Sequence, residues 1–145
     1  MKQIHLFSDG SSLGNPGYGG YCAIIRYKEH EKIASGALPN VTNNQMELLA
    51  VIEGLKLLKE PCDVTITSDS SYVVKGINEW LQNWIKKDFK KVKNPDLWKQ
   101  YIEVAKPHKI YAVWVRGHNG HEENERCDKI ARHAAEKLQQ SYKDR

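Results

Sequence analysis

Gln3-Ile4-His5-Leu6-Phe7-Ser8-Asp9-Gly10 alternates in side-chain character as far as Ser8 and then breaks at an acid–glycine pair, the pattern of a half-buried strand running into a turn. Tyr21 to Lys28 is apolar and β-rich, and Lys32 to Leu38 follows after a short polar turn, so the opening third is predicted to be a three-stranded antiparallel meander. The period then changes. Leu48, Val51, Ile52 and Leu55 keep helical spacing until Lys59, just before Pro61, with Asn44 as the expected cap. Val64 to Ser68 is a fourth strand ending at Asp69, helical segments follow over Ser71 to Trp84 and Pro95 to Ala105, and Ile110 to Val115 is a fifth strand. A glycine-rich loop, Arg116-Gly117-His118-Asn119-Gly120, leads to a last helix from about Glu122 with Cys127, Ile130, Ala131, Ala134 and Leu138 on one side. The order βββαβααβα implies an α/β fold. A right-handed crossover through the first helix lays the fourth strand parallel to the first, giving a mixed five-stranded sheet with helices packed on it.

At 145 residues, 40% hydrophobic and 28% charged, the chain has room for one compact domain, 1–145, and no second. The apolar stretches Tyr21-Cys22-Ala23-Ile24-Ile25 and Leu48-Leu49-Ala50-Val51-Ile52 are too short to cross a bilayer, and no signal-peptide core precedes the first strand, so the chain is expected to stay in the cytoplasm; a monomer is the simplest oligomeric state. Cys22, Cys62 and Cys127 are odd in number and widely spaced, which argues against both a disulfide framework and a zinc site. The net charge of +4 and pI near 8.9 are mild, but the charge is segregated. Lys86-Lys87-Asp88-Phe89-Lys90-Lys91-Val92-Lys93 is the densest basic stretch, flanked by Trp80, Trp84 and Trp98, while candidate catalytic acids are scattered elsewhere.

Asp9 and Asp69 both follow strands, and on neighbouring parallel strands their backbones would lie roughly 4.8 Å apart, at the sheet end where α/β folds place ligands. Taken singly, each also suits ordinary turn or cap duty. Glu47 falls opposite the polar face formed by Gln45, Glu53, Lys56, Lys59 and Glu60, sharing its side with Val51, Gly54 and Leu58. A buried acid there needs a partner; the alternative is a capping box with Asn44. Asp128 borders the apolar stripe of the last helix, or lies on its solvated flank. If the four acids converge they require cations, and hard oxygen ligands favour Mg²⁺ or Mn²⁺ over zinc. The chemistry expected of such a site is two-metal phosphoryl transfer, with ions roughly 3.5–4 Å apart.

Asp9-Gly10-Ser11, Gly14-Asn15-Pro16-Gly17, Thr42-Asn43-Asn44-Gln45-Met46-Glu47, Ser68-Asp69-Ser70, Gly117-His118-Asn119-Gly120-His121 and Asn124-Glu125-Arg126-Cys127-Asp128 occur in one order over essentially the whole chain, and together they resemble bacterial type 1 ribonuclease H. The resemblance implies a ribonuclease H-like fold and an endonuclease that hydrolyses the RNA strand of RNA/DNA hybrids, leaving 5′-phosphate and 3′-hydroxyl ends. It implies that Asp9, Glu47, Asp69 and Asp128 bind two Mg²⁺ ions, which Mn²⁺ replaces, and that His118 assists proton transfer or departure of the cleaved phosphate. Asn15, Thr42, Asn43 and Asn44 resemble hybrid-contacting residues, and short amides suit 2′-hydroxyls and base edges in a wide minor groove. Trp80, Trp84, Lys86, Lys87, Lys90 and Lys91 resemble part of a basic protrusion, at about 80–98, that grips the DNA strand. Ser71 stands where many bacterial members carry glutamine, Gln45 replaces a common arginine, and the protrusion is several residues short.

Two other classes compete with this reading. A non-catalytic nucleic-acid-binding module would keep the sheet and protrusion but use the acids structurally. A nuclease of the same fold acting on DNA would share Asp9-type chemistry without needing the Thr42-Asn43-Asn44 segment. A nucleotide-binding loop at Gly10 to Gly20 is excluded, because it lacks the Gly-Lys-Ser/Thr ending and runs into a strand.

Overall fold

The computed structural model describes residues 1–117 and 121–144. Five strands, β1 (Lys2–Ser12), β2 (Gly17–Tyr27), β3 (His30–Val41), β4 (Cys62–Ser68) and β5 (Lys109–Trp114), form one sheet in the order β3-β2-β1-β4-β5. β1 pairs antiparallel with β2 and parallel with β4, as the crossover rule required, and β5 adds in parallel beyond β4. The helices are α1 (Asn43–Lys56), α2 (Ser71–Lys75), α3 (Leu81–Lys86), α4 (Pro95–Ala105) and α5 (Glu122–Lys143). The helical stretch expected over Ser71 to Trp84 is interrupted by a π-helical segment, Gly76–Trp80, where the bare Cα of Gly76 lies so close to Trp98 that a Cβ would meet the indole at 2.3 Å.

The meander strands run longer than their alternation suggested. Asp9 does not end β1: the parallel ladder to β4 stops at Ser8↔Ser68, but Asp9↔Cys22 through Ser12↔Gly19 remain paired with β2. Helix α1 also starts differently. Thr42, in extended conformation, is the cap; its hydroxyl accepts from the Gln45 N–H at 3.2 Å and its own N–H donates to Gln45 Oε1 at 2.9 Å. Asn44 lies inside the first turn and Glu47 outside the box, so the capping explanation of Glu47 fails. The helix ends at Lys56 rather than Lys59, because the Leu57 and Leu58 N–H groups tighten onto the Gly54 and Leu55 carbonyls.

Even-numbered residues of β1 and β4, among them Leu6, Val64 and Ile66, face α1 residues Leu48, Val51, Ile52 and Leu55 in the main core. On the other face Cys22 and Ile24 of β2 meet Cys127 and Ala131 of α5. Close contact there needs glycine: a Cβ at Gly20 would stand 1.9 Å from the Ala131 carbonyl oxygen. The three cysteines are buried as free thiols. Trp98, expected beside the basic stretch, is instead the largest fully buried side chain, its indole N–H donating to the Tyr72 hydroxyl at 2.8 Å. No helix among the described residues is long and apolar enough to cross a membrane.

Candidate active site

The acids are assembled by backbone register. Asp9 lies one residue beyond the last β1–β4 pair and Asp69 one residue beyond β4, so adjacent strands deliver both to one end of the sheet. Glu47 enters from α1, which crosses β1 in near-backbone contact: a Cβ on Gly10 would lie 2.3 Å from the Glu47 nitrogen. Gly10 therefore serves close approach, whereas the Asp9-Gly10 pair alone suggested a turn. Its N–H donates to Asp9 Oδ1 at 2.9 Å and also to Glu47 Oε1. One carboxylate oxygen from each of Asp9, Glu47 and Asp69 lies within 4.8 Å of the others. Asp9 and Glu47 are only 6% and 7% exposed.

Burial pushes the Asp9 carboxyl up to about 6, assisted by the charges of Asp69 and Asp128 and opposed by its hydrogen bond with Glu47. Burial also drives Glu47 well above the ordinary carboxylate range, and the hydrogen bond to Asp9 and the charges of Asp9 and Asp69 add to the shift. A hard divalent cation would offset the negative charge gathered there. Among the described residues the donor set is all oxygen, with no histidine or cysteine in the cluster, which fits Mg²⁺ or Mn²⁺.

Asp69 does not cap α2; the Ser70 hydroxyl does, accepting from the Val73 N–H at 3.2 Å. The Asp69 backbone is held instead by β5 and its extension. The Trp114 indole donates to the Asp69 carbonyl at 3.0 Å, and a Cβ on Gly117 would stand 2.9 Å from Asp69 Oδ2. Asp128 stands outside the three-acid cluster but lines the same cleft as Asp9 and Asp69. Its Oδ2 accepts from Arg132 Nη2 at 2.7 Å, one helical turn on. His118 lies outside the described residues.

Asn43 and Asn44 border the cleft. Asn15 and Asn43 also do the structural work their residue types allow: Asn15 Oδ1 accepts from the Asn43 N–H at 3.1 Å, and Asn43 Oδ1 from the Ser12 N–H at 2.7 Å. These bonds tie the 13–16 loop to the start of α1. Gln45, besides capping, donates to Asn94 Oδ1 at 3.2 Å and so joins α1 to the end of the basic stretch, while Ser71 lines the cleft at the start of α2.

The basic stretch hangs from the core by aromatics. Trp84 packs edge-on against Trp98 with centroids 5.1 Å apart, and Phe89 and Val92 pack on the same cluster. Trp84 is thus partly buried, whereas Trp80 is 38% exposed. Asp88, Phe89, Lys91 and Asn94 have positive φ, so the chain turns tightly and leaves Lys86, Lys87, Lys90 and Lys91 exposed.

The RNase H family model matches residues 1–136. Ribonuclease H of Sulfurovum sp. is 66% identical over 140 residues, 97% of this chain and 95% of that protein. Ribonuclease HI of Helicobacter pylori is 61% identical over 137 residues, 94% and 96% of the two chains. Among solved structures, LC9-RNase H1, described as a type 1 RNase H with the type 2 active-site motif, superposes with a TM-score of 0.85 at 28% identity, over 92% of this chain and 72% of that one. LC11-RNase H1 in complex with RNA/DNA hybrid matches with a TM-score of 0.64 at 25% identity, over 93% and 98%. A family match over nearly the whole length, on the mixed sheet and helix arrangement built above, places this chain in the RNase H family.

Proposed function

We propose that this chain is an endonuclease that hydrolyses the RNA strand of RNA/DNA hybrids, leaving 5′-phosphate and 3′-hydroxyl ends. The observation that carries the reading is the convergence of Asp9, Glu47 and Asp69 within 4.8 Å, two of them buried, with Asp128 lining the same cleft. Such a cluster is costly as a purely structural feature, because like charges out of water repel one another and disfavour ionisation. That cost weighs against the non-catalytic binding module.

In this reading Asp9, Glu47, Asp69 and Asp128 hold two Mg²⁺ ions, with Mn²⁺ as a substitute. When bound, the ions supply Lewis-acid activation of the attacking water and neutralise charge developing on the leaving 3′-oxygen. Gly10 orients both the Asp9 and Glu47 carboxylates through its N–H, so that they would present oxygens to a bound cation. His118 aids proton transfer or release of the cleaved phosphate. Asn15, Thr42, Asn43 and Asn44 form the surface that meets the hybrid's minor groove, where 2′-hydroxyls mark the RNA strand. Trp80, Trp84, Lys86, Lys87, Lys90 and Lys91 grip the DNA strand through phosphate contacts and aromatic packing. The chain works as one catalytic domain, 1–145, with the protrusion at about 80–98, as a monomer in the cytoplasm.

The test is cleavage of end-labelled RNA/DNA hybrid, duplex RNA, duplex DNA and single-stranded RNA, each with Mg²⁺ and with EDTA. Metal-dependent loss of the hybrid's RNA strand alone is the expected result. Binding of hybrid without cleavage would return the chain to the binding-module class, and cutting of DNA would make it a DNA nuclease of the same fold.

A further inference from the structure

Asn124, in the first turn of α5, lines the same small cavity as Asp9, Asp69 and Asp128. Its Nδ2 donates to two carbonyls on different strands, Thr67 of β4 at 3.0 Å and Ser8 of β1 at 3.4 Å. Ser8 immediately precedes Asp9, and Thr67 comes two residues before Asp69. Asp128 is four residues further along α5, hence on the same helix face as Asn124. A single amide therefore spans the two acid-bearing strands at the point where their parallel ladder ends, one turn from the acid that α5 contributes.

Other contacts hold α5 down without fixing that relation. Cys127 Sγ donates to the Phe7 carbonyl at 3.3 Å on β1, and Ala131 presses on Gly20 of β2. Asn124 extends the grip to β4. Its Oδ1 is buried with no partner among the described residues. A half-satisfied buried amide is a poor device for stability, since the unpaired acceptor costs much of what the donor gains. Its two donated bonds are instead placed to set geometry.

We propose that Asn124 is a positioning residue, registering Asp128 against Asp9 and Asp69 by bridging the Ser8 and Thr67 carbonyls. The inference rests on Asp128 belonging to the metal site, which the D128N arm below examines separately.

The experiment compares wild type, N124A, D128N and the double variant in Mn²⁺ calorimetry on the substrate-free protein, kcat/KM on hybrid, and Tm in EDTA. N124A is expected to weaken Mn²⁺ binding roughly tenfold, as loss of an outer-shell support does. The double variant should bind and turn over no worse than D128N, because a residue acting through Asp128 has nothing left to position. Wild-type Mn²⁺ affinity in N124A with a lowered Tm, or losses that multiply in the double variant, overturns the proposal. If N124A does not fold, Asn124→Ser keeps a donor for one carbonyl; intermediate Mn²⁺ affinity supports the proposal and wild-type affinity refutes it. If D128N binds Mn²⁺ as wild type does, the assignment of Asp128 falls, and this proposal with it.

Discussion

The acid cluster and the basic stretch between α3 and α4 are built on opposite terms. Asp9, Glu47 and Asp69 are held by strand register and a backbone crossing that leaves no room for a Cβ at Gly10. The lysines stand at the end of α3 and on the turns after it, where Asp88, Phe89, Lys91 and Asn94 have positive φ, attached to the body by Trp84 and Phe89. Rigidity suits chemistry in which ligand atoms must stay within a fraction of an ångström. A charged surface that meets a polyanion needs only to present charge, since its effect is long-ranged and screened by salt. One region is therefore intolerant of single atoms, and the other responds to the number of charges.

The sharpest break of this contrast is Asp9→Asn or Asp69→Asn, which removes a carboxylate charge from the proposed metal site without removing volume. Hybrid cleavage should fall below detection while far-UV circular dichroism is unchanged; a fully active variant would sink the site assignment. Next is Trp98→Ala, the point where the lysine-bearing stretch joins the core. Loss of a fully buried indole should cost about 3–5 kcal/mol in urea unfolding and weaken hybrid binding as Trp84 loses its support. A loss below about 1 kcal/mol would mean that the aromatic cluster anchors nothing.

A third prediction uses the raised Asp9 carboxyl. Its folded value, about 6, lies above the ordinary 3.8, so the folded chain holds the proton more tightly than the unfolded one. Metal-free protein should therefore be most favoured by this group at low pH and lose that advantage as pH rises through about 6, by about 3 kcal/mol in all. Asp9→Asn should gain on wild type in EDTA between pH 4 and pH 7, and parallel pH profiles would refute the shift. The smallest effect is expected where single contacts matter least. Neutralising Lys86, Lys87, Lys90 and Lys91 together should lower the slope of log K against log salt by about 0.7–0.9 per lost phosphate contact, with little change in rate at saturating hybrid. An unchanged slope would make the protrusion a bystander to binding.

Much of this molecule is written in short-range pattern. Alternation in Gln3 to Ser8 and helical spacing from Leu48 to Leu55 identified strand and helix, and chirality of the crossover placed β4 beside β1. That adjacency made Asp9 and Asp69 neighbours before any coordinates. The helical phase of Glu47 turned it inward, where it is 7% exposed. Cap positions are settled among local signals that several residues satisfy equally. Asn44 and Thr42 both suit a cap, and the cap falls to Thr42, whose backbone is extended and which Gln45 answers reciprocally. Asp69 and Ser70 compete in the same way before α2, with Ser70 taking the cap. Trp98 groups by sequence with the lysine-rich neighbourhood, although Trp98, Tyr101, Ile102 and Ala105 keep the spacing of the stripe by which α4 carries it into the core.

Residue types and their periods thus determined the order of elements, the sheet that joins them and which acids belong to one end of it, because side-chain period and chain handedness are properties of short segments. Tertiary structure alone decided the atomic distances. Gly10 beneath Glu47, Gly20 beneath Ala131 and the Asn124 amide across two strands all join segments far apart in the chain, whose separation is set by how the layers pack.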